Sequence, residues 1–555
     1  MPGGLLNIVS EGNNNVILNG NPTKTFFNVT YSKYTNFGLQ KFRLDYEGSR
    51  DLRTSTPSQF KFKIKRYAEL LMDTYLVVNL PDIWSPFHEP NTNTNNLWAP
   101  YDFKWIKNIG SQMIKEVLIT CGSVTIQKYS GDYLQAMVER DFTGTKKDLF
   151  DKMSGNVSEL NDPANAFGKS NVYPSAFYTT NPVGAEPSIR ARQLLIPINA
   201  WFTLDNRCAF PLVSLQYNEL EITITMRPIQ ELFQIRDVYD TNNNFPYVQP
   251  DFNRHEMQMY HFLQSPPTVF TDDNTSYINT SNVWNADIHL LCTYCFLSKS
   301  ETELFAAKEQ VYLVKDVFNY NFENITGSSR VKLTSNGMVS SWMWYLQRND
   351  VNTRNEWSNY SNWPYENIPQ NVSTAPTVLP NVFQSRAVSQ GIYSGPGLNN
   401  NIKTGYFYTG DYCVANQKEI LHTFGILLNG EYRENTLPSG IFNYVEKYTR
   451  TSGFANEGLY CYNFCLKTDP FEYQPSGAIN MSKFKTVELE ITTYSPPIDV
   501  VKSNYQIICD TDGNPINSNK QAWQLYHYNY NMVVFEERYN VLSFIGGNCG
   551  MLYSR

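Results

Sequence analysis

The sequence predicts an all-β protein: two consecutive domains of about eight antiparallel strands each, with long inter-strand loops and few short helices. Three observations carry that prediction. Aromatic residues make up 15% of the chain and charged residues only 17%, and the many Thr, Tyr, Phe and Val favour strands. In Gln59–Pro86, Phe60, Phe62 and Ile64 alternate with Lys61, Lys63 and Lys65, the period-two pattern of a strand with one wet face. The third observation is a repeat: a set of strand-like segments recurs in the same order in the two halves.

Each element follows in turn. After a polar corner at Arg66 to Glu69, Tyr75 to Leu80 is apolar at nearly every position, which suits a strand covered on both faces, and Pro81 stops it. A half-exposed strand followed at once by a buried one indicates stacked sheets. Phe26 to Tyr46 reads as the first strands before this pair. Met113 to Gln127, Gln193 to Ile198, Leu212 to Met226 and Ile288 to Ser298 read as later strands, separated by Asn- and Pro-rich insertions such as 85–100 and 141–187. Glu301 to Gln310, rich in Ala, Glu and Lys, reads as a short linking helix.

A second series then begins with Val311 to Phe322, Arg330 to Thr334 and Val339 to Leu346. After an insertion to about Asn416 come Ile420 to Leu428, Leu459 to Leu466, Lys485 to Thr492, Val533 to Arg538 and Val541 to Ile545. Ser340 to Leu346 sits where Thr74 to Leu80 sat, again before a long polar insertion, and Val487 to Thr493 echoes Asn218 to Met226. Duplication of a domain is the simple account. The expected divisions are an arm over 1–25, a first domain over 26–298, a linker over 299–310 and a second domain over 311–555.

Composition also excludes functions. A net charge of −7, with Glu11 the one charged side chain before Pro22, argues against direct nucleic-acid binding. The longest apolar runs fall far short of the roughly 20 residues a spanning helix needs, and no secretory leader or myristoylation signal stands at the amino end. Nine scattered cysteines fit reduced thiols better than a disulfide framework.

No catalytic residue, cofactor-binding residue or metal ligand is predicted. Cys292 and Cys295 have no second ligand pair at zinc spacing, and on a strand they face opposite sides. The six histidines form no metal-binding pattern. Asp510 to Asn514 reads as a solvated turn, since a calcium loop would need a distal Glu. Neither paired catalytic carboxylates, a nucleophile elbow nor a phosphate loop stands out. The candidate interaction residues lie in the arm: Leu5, Leu6, Ile8, Val9, Val16, Ile17 and Leu18, in two apolar pieces too short to bury themselves.

Several stretches together resemble the major capsid proteins of the nucleocytoplasmic large DNA viruses of algae and amoebae. Gly3 to Phe37 is similar to that family's amino-terminal signature, and Ile64 to Pro86 to its next block. Pro197 to Ile222 and Asp287 to Glu301 resemble the end of its first domain, Gln474 to Phe484 a specific block of the second, and Asn540 to Ser554 the carboxyl end. Met481 and Lys483 depart from the family's more usual Phe and Arg.

The resemblance implies a double jelly roll and a structural, non-enzymatic role without cofactors. It implies a homotrimer of pseudo-hexagonal outline that packs with neighbouring capsomers into an icosahedral shell, made in the host cytoplasm and placed in the virion capsid. Minor capsid and penton proteins would be partners, with an inner membrane nearby but not spanned. The alternatives are a jelly-roll carbohydrate-active enzyme or glycan-binding module, and a transient viral membrane scaffold of the same fold.

Overall fold

The computed structural model describes residues 12, 15–48, 51–88, 99–169, 172–176, 186–240, 246–266, 277–366, 417–497, 499, 506–519 and 526–553. Its first half is built on β1 (Phe37–Asp45), β2 (Ser58–Lys63), β3 (Leu70–Leu80), β4 (Ile114–Cys121), β5 (Val124–Tyr129), β6 (Arg192–Pro197), β7 (Leu220–Met226) and β8 (His289–Leu297). One sheet has the order β1-β8-β3-β6 and the other β2-β7-β4-β5, all antiparallel. That pair of orders defines a jelly roll: apart from the β4–β5 hairpin, sequential strands alternate between two sheets that share one core.

The second half repeats it. Its strands are β9 (Gln310–Ile325), β10 (Ser328–Leu333), β11 (Met338–Arg348), β12 (Leu421–Leu428), β13 (Glu431–Pro438), β14 (Leu459–Asn463), β15 (Val487–Thr493) and β16 (Tyr530–Ile545). The sheets run β9-β16-β11-β14 and β10-β15-β12-β13, the same two orders shifted by eight strands. The fold is a double jelly roll, and every ladder among the described residues pairs strands of one half only.

Local chemistry explains the individual elements. In β2, Phe60 and Phe62 are buried while Gln59 and Lys61 are exposed, and β7 and β15 both alternate buried and half-buried side chains along their whole length. The turn between β12 and β13 is Asn429-Gly430, both at positive φ (53° and 85°), the geometry a two-residue hairpin needs to match strand twist. Helix Lys299–Ala307 joins the halves, close to the linker helix predicted over 301–310.

Three expectations change. Residues 22–36 hold no strand, so the first strand starts at Phe37 rather than Phe26. Met113 to Gln127 is not one strand but the β4–β5 hairpin, folded at Gly122 (φ 59°). The polar insertion over 141–187 is entered through helix α1 (Gly131–Asp141) and begins with a second helix, α2 (Gly144–Ser154). Their signals were present: Ser130 accepts a hydrogen bond from the Tyr133 amide as an N-cap, and Gly155 closes α2 at φ 82°. A second helical stretch, a π turn at Ile441–Val445 running into Glu446–Arg450, lies between β13 and β14, the place α1 and α2 occupy between β5 and β6. The duplication therefore reaches beyond the strands.

Candidate assembly interfaces

The first interface is the seam between the two jelly rolls, and β11 shows how it is made. Trp342, Trp344 and Leu346 point into the second half's own core, with Trp344 stacked on Phe424 at 4.2 Å. Met343 and Tyr345, alternating with them, point the other way and join the first half's core. β9 and β16 continue the theme. Each is 16 residues long, against nine for their counterparts β1 and β8. Their extra length places Tyr312, Val314, Leu542 and Phe544 in the first core, where Phe544 meets Phe210 edge-on at 5.2 Å.

Helix α1 lies in this seam and carries its charge. Arg140, 1% exposed, pairs with Asp141 at 2.7 Å and with Glu537 of β16 at 2.9 Å. It also donates to Ser341 Oγ of β11 at 3.1 Å. Glu537 accepts from Tyr133 Oη (2.8 Å) and Ser341 Oγ (2.7 Å), with the Lys315 ammonium at 3.8 Å. Thr468 Oγ1 donates to Asp141 at 2.5 Å. Burial pushes both carboxyls up, but Arg140 and Lys315 outweigh it at Glu537 and hold that group well below its ordinary value. At Asp141 burial prevails, helped by the neighbouring Glu537 charge, and its pKa is raised. Such a network is satisfied only with both halves in place, so removing one partner strands a buried charge.

Loops of the two halves also interlock beside the seam. Asn355 donates to the Phe233 carbonyl at 2.8 Å, Trp357 Nε1 to the Glu231 carbonyl at 3.0 Å, and Lys107 pairs with Glu366 at 2.7 Å. Sequence reading missed this whole site. Its one visible signal is Glu536-Glu537-Arg538, three charged residues at the end of the expected strand Val533 to Arg538, with a separate strand expected at Val541 to Ile545. The structure keeps the strand continuous: Glu536 faces Trp342, which donates to it at 2.7 Å, and Glu537 faces α1.

The predicted interaction residues lie in the arm. Leu5, Leu6, Ile8 and Val9 lie outside the described residues. Val16, Ile17 and Leu18 form a one-turn helix, Val16–Asn19, with Ile17 94% exposed. Exposed apolar side chains continue through Phe26, Phe27 (100%), Tyr31 and Tyr34 to Phe37 and Leu39 of the edge strand β1.

The predicted non-sites fall as simple structural residues. Cys292 and Cys295 are buried in two different apolar clusters on opposite faces of β8. The turn at Asp510 is closed by its own carboxylate, which accepts from the Asp512 and Asn514 amides at 3.0 and 2.7 Å. Among the described residues no group of three or more His, Cys, Asp or Glu could hold a metal ion, and no helix is long and apolar enough to cross a membrane.

Two long-looped jelly rolls welded edge to face define the class: a double jelly-roll capsid subunit. Family models agree. One described as the major capsid protein N-terminus matches residues 25–290, and one described as the large eukaryotic DNA virus major capsid protein matches 301–550. The chain belongs to the major capsid protein family of the large eukaryotic DNA viruses. Over the full length of both chains it is 24% identical to the major capsid protein of Phaeocystis pouchetii virus and 23% to that of Paramecium bursaria Chlorella virus 1. Its fold is similar to the PBCV-1 virus capsid (TM-score 0.60, 17% identity, covering 96% of this chain and 100% of that one). It is also similar to the Faustovirus major capsid protein (TM-score 0.57, 12% identity, 98% of each chain). The protein is a structural component of the virion capsid, not an enzyme, and it assembles into the capsid lattice.

Proposed function

We propose that the protein forms a homotrimeric capsomer of pseudo-hexagonal outline. The observation that carries this reading is the repeated strand order: two like sandwiches per chain give three copies six like sides, which tile a shell as hexagons do. The chain divides, on this reading, into an arm over 1–25, jelly rolls over 26–298 and 311–555, and a linker over 299–310. The exposed apolar stretch up to Phe37 supports an arm that reaches past residue 25. The interlocked loops around Lys107, Phe233 and Trp357 would form the outer tower.

The arm, through Leu5, Leu6, Ile8, Val9, Val16, Ile17 and Leu18, docks on neighbouring capsomers or on minor capsid and penton proteins beneath the shell. Large apolar side chains left exposed in series, from Val16 to Leu18 and from Phe26 to Leu39, support an interaction role. A membrane nearby but not spanned, with no direct nucleic-acid contact, suits a chain of net charge −7. Native mass measurement at micromolar concentration tests the trimer: three chains are expected, and a stable monomer contradicts it. Deleting residues 2–22 should leave trimers intact and impair shell assembly; normal shells from the truncated protein would dismiss the docking role.

A further inference from the structure

The two halves match position by position along the face that makes the seam. Ser340 to Leu346 of β11 stands where Thr74 to Leu80 of β3 stands, so Ser341 corresponds to Tyr75. The ladders carry the match across the sheet. Ser341 pairs with Glu537 and Glu537 with Val317, as Tyr75 pairs with Leu291 and Leu291 with Arg43. In the second half this row is the seam itself: Ser341, Glu537 and Val317 are all buried, with Arg140 of α1 on the first two and Val317 in the first half's core. In the first half the same row is open, with Tyr75 and Leu291 half-buried and the Arg43 side chain 48% exposed. The element that covers the row has a counterpart too. Helix α1 follows β5 directly and opens with Ser130-Gly131; the helical stretch 441–450 follows β13 directly and opens with Ser439-Gly440. Every residue of α1 but Asp132 is buried, whereas the stretch 441–450 exposes Tyr444, Val445 and, at 91%, Tyr448. One chain thus carries an exposed counterpart of each side of its own seam.

We propose that the outer face of β1-β8-β3 in each copy receives the helical stretch 441–450 of the next copy, in a head-to-tail contact that repeats the seam between chains. The inference rests on the trimer proposed above. In a ring where first and second halves alternate there are two kinds of contact: first half to second within a chain, and second half to first between chains. A heterologous contact of the second kind closes the ring at three copies. The exchange of residues along the matched row suits such a contact. Leu291 stands at the Glu537 position and Tyr75 at the Ser341 position, so the open face offers an apolar and aromatic centre where the seam has a buried charge. The helical stretch brings Tyr444, Val445 and Tyr448 to it. Arg43, paired with Asp45 and Asp287, adds a guanidinium, which stacks favourably on tyrosine rings. Aromatic and arginine side chains are the ones enriched where protein interfaces are strongest.

Native mass measurement of the full-length wild-type, Arg43→Glu and Tyr448→Glu proteins at micromolar concentration gives the test. Both substitutions fall on exposed side chains, one on each side of the proposed contact, and circular dichroism should show wild-type secondary structure in both. The wild type is expected as three chains, and each variant should associate about tenfold more weakly or worse, releasing folded single chains. Hydroxyl-radical labelling then joins the two sides: Tyr448 should be labelled several-fold faster in Arg43→Glu chains than in wild-type trimers. Trimers of wild-type strength from either folded variant would overturn the docking surface and leave the trimer standing, as would equal labelling of Tyr448 in the wild-type trimer and in the dissociated chains. A wild-type monomer would overturn both.

Discussion

The two jelly rolls share one strand order but not one way of being buried. The first closes its core with strands that stop at its own boundary, β1 and β8 at nine residues each. The second extends the equivalent ladder to 16 residues and spends the added length inside its neighbour. A duplicated domain need not give two independent domains. One copy has kept an ordinary sandwich, and the other has turned the outer face of a sheet into an inner one. The alternation on β11, with Trp342 and Trp344 inward and Met343 and Tyr345 across the seam, is that change at single-residue scale.

Breaking the seam should therefore cost as much as breaking a core. Arg140→Ala leaves Glu537 and Asp141 without their buried cation, and a loss of about 3–5 kcal/mol is expected, read as a lower denaturant midpoint by probes in both halves. Trp344→Ala, in the second core alone, should cost about 3–5 kcal/mol through its cavity. The two variants differ in where the damage appears. Hydrogen exchange should quicken in both halves for Arg140→Ala and chiefly in strands β10 to β15 for Trp344→Ala.

Acid sharpens the same contrast. The Glu537 pKa is depressed in the folded state, so its contribution is present above its ordinary value of 4.5 and is lost as pH falls below that toward the depressed value. Glu537→Gln should remove that portion of the acid dependence, flattening stability between pH 5 and 3 by about 1–3 kcal/mol. Asp141, whose raised pKa acts in the opposite sense, keeps the remaining slope shallow. A smaller effect is expected from Gly430→Ala at the β12–β13 turn, where φ is 85°: about 1–2 kcal/mol, visible as a lower melting temperature without change in assembly. Arg330→Ala, which removes an exposed pair with Glu490 on the wet face of β10, should leave the midpoint unchanged.

How far the sequence could be read follows the same division. Strands that keep one face wet announced themselves, as Phe60 and Phe62 did among their lysines, and the matching of β3 with β11 and of β7 with β15 was legible from residue order. β13 was not: it is exposed along most of its length and carries Glu431, Arg433 and Glu434, so it offers no apolar face to detect. Helix α1 escaped because its apolar side chains surround an arginine, and burial of that arginine depends on a partner some four hundred residues away in the chain. Pairwise chemistry across a duplication leaves little local trace. The arm shows the converse: Val16, Ile17 and Leu18 were legible as apolar, and in the fold they stay exposed.

Calorimetric unfolding of the full-length protein tests the welded pair most directly. If β9 and β16 build part of the first core, both jelly rolls should melt in one cooperative transition, with Arg140→Ala moving the whole of it. Two separate transitions in the wild-type protein, with Arg140→Ala shifting only one, would contradict the account.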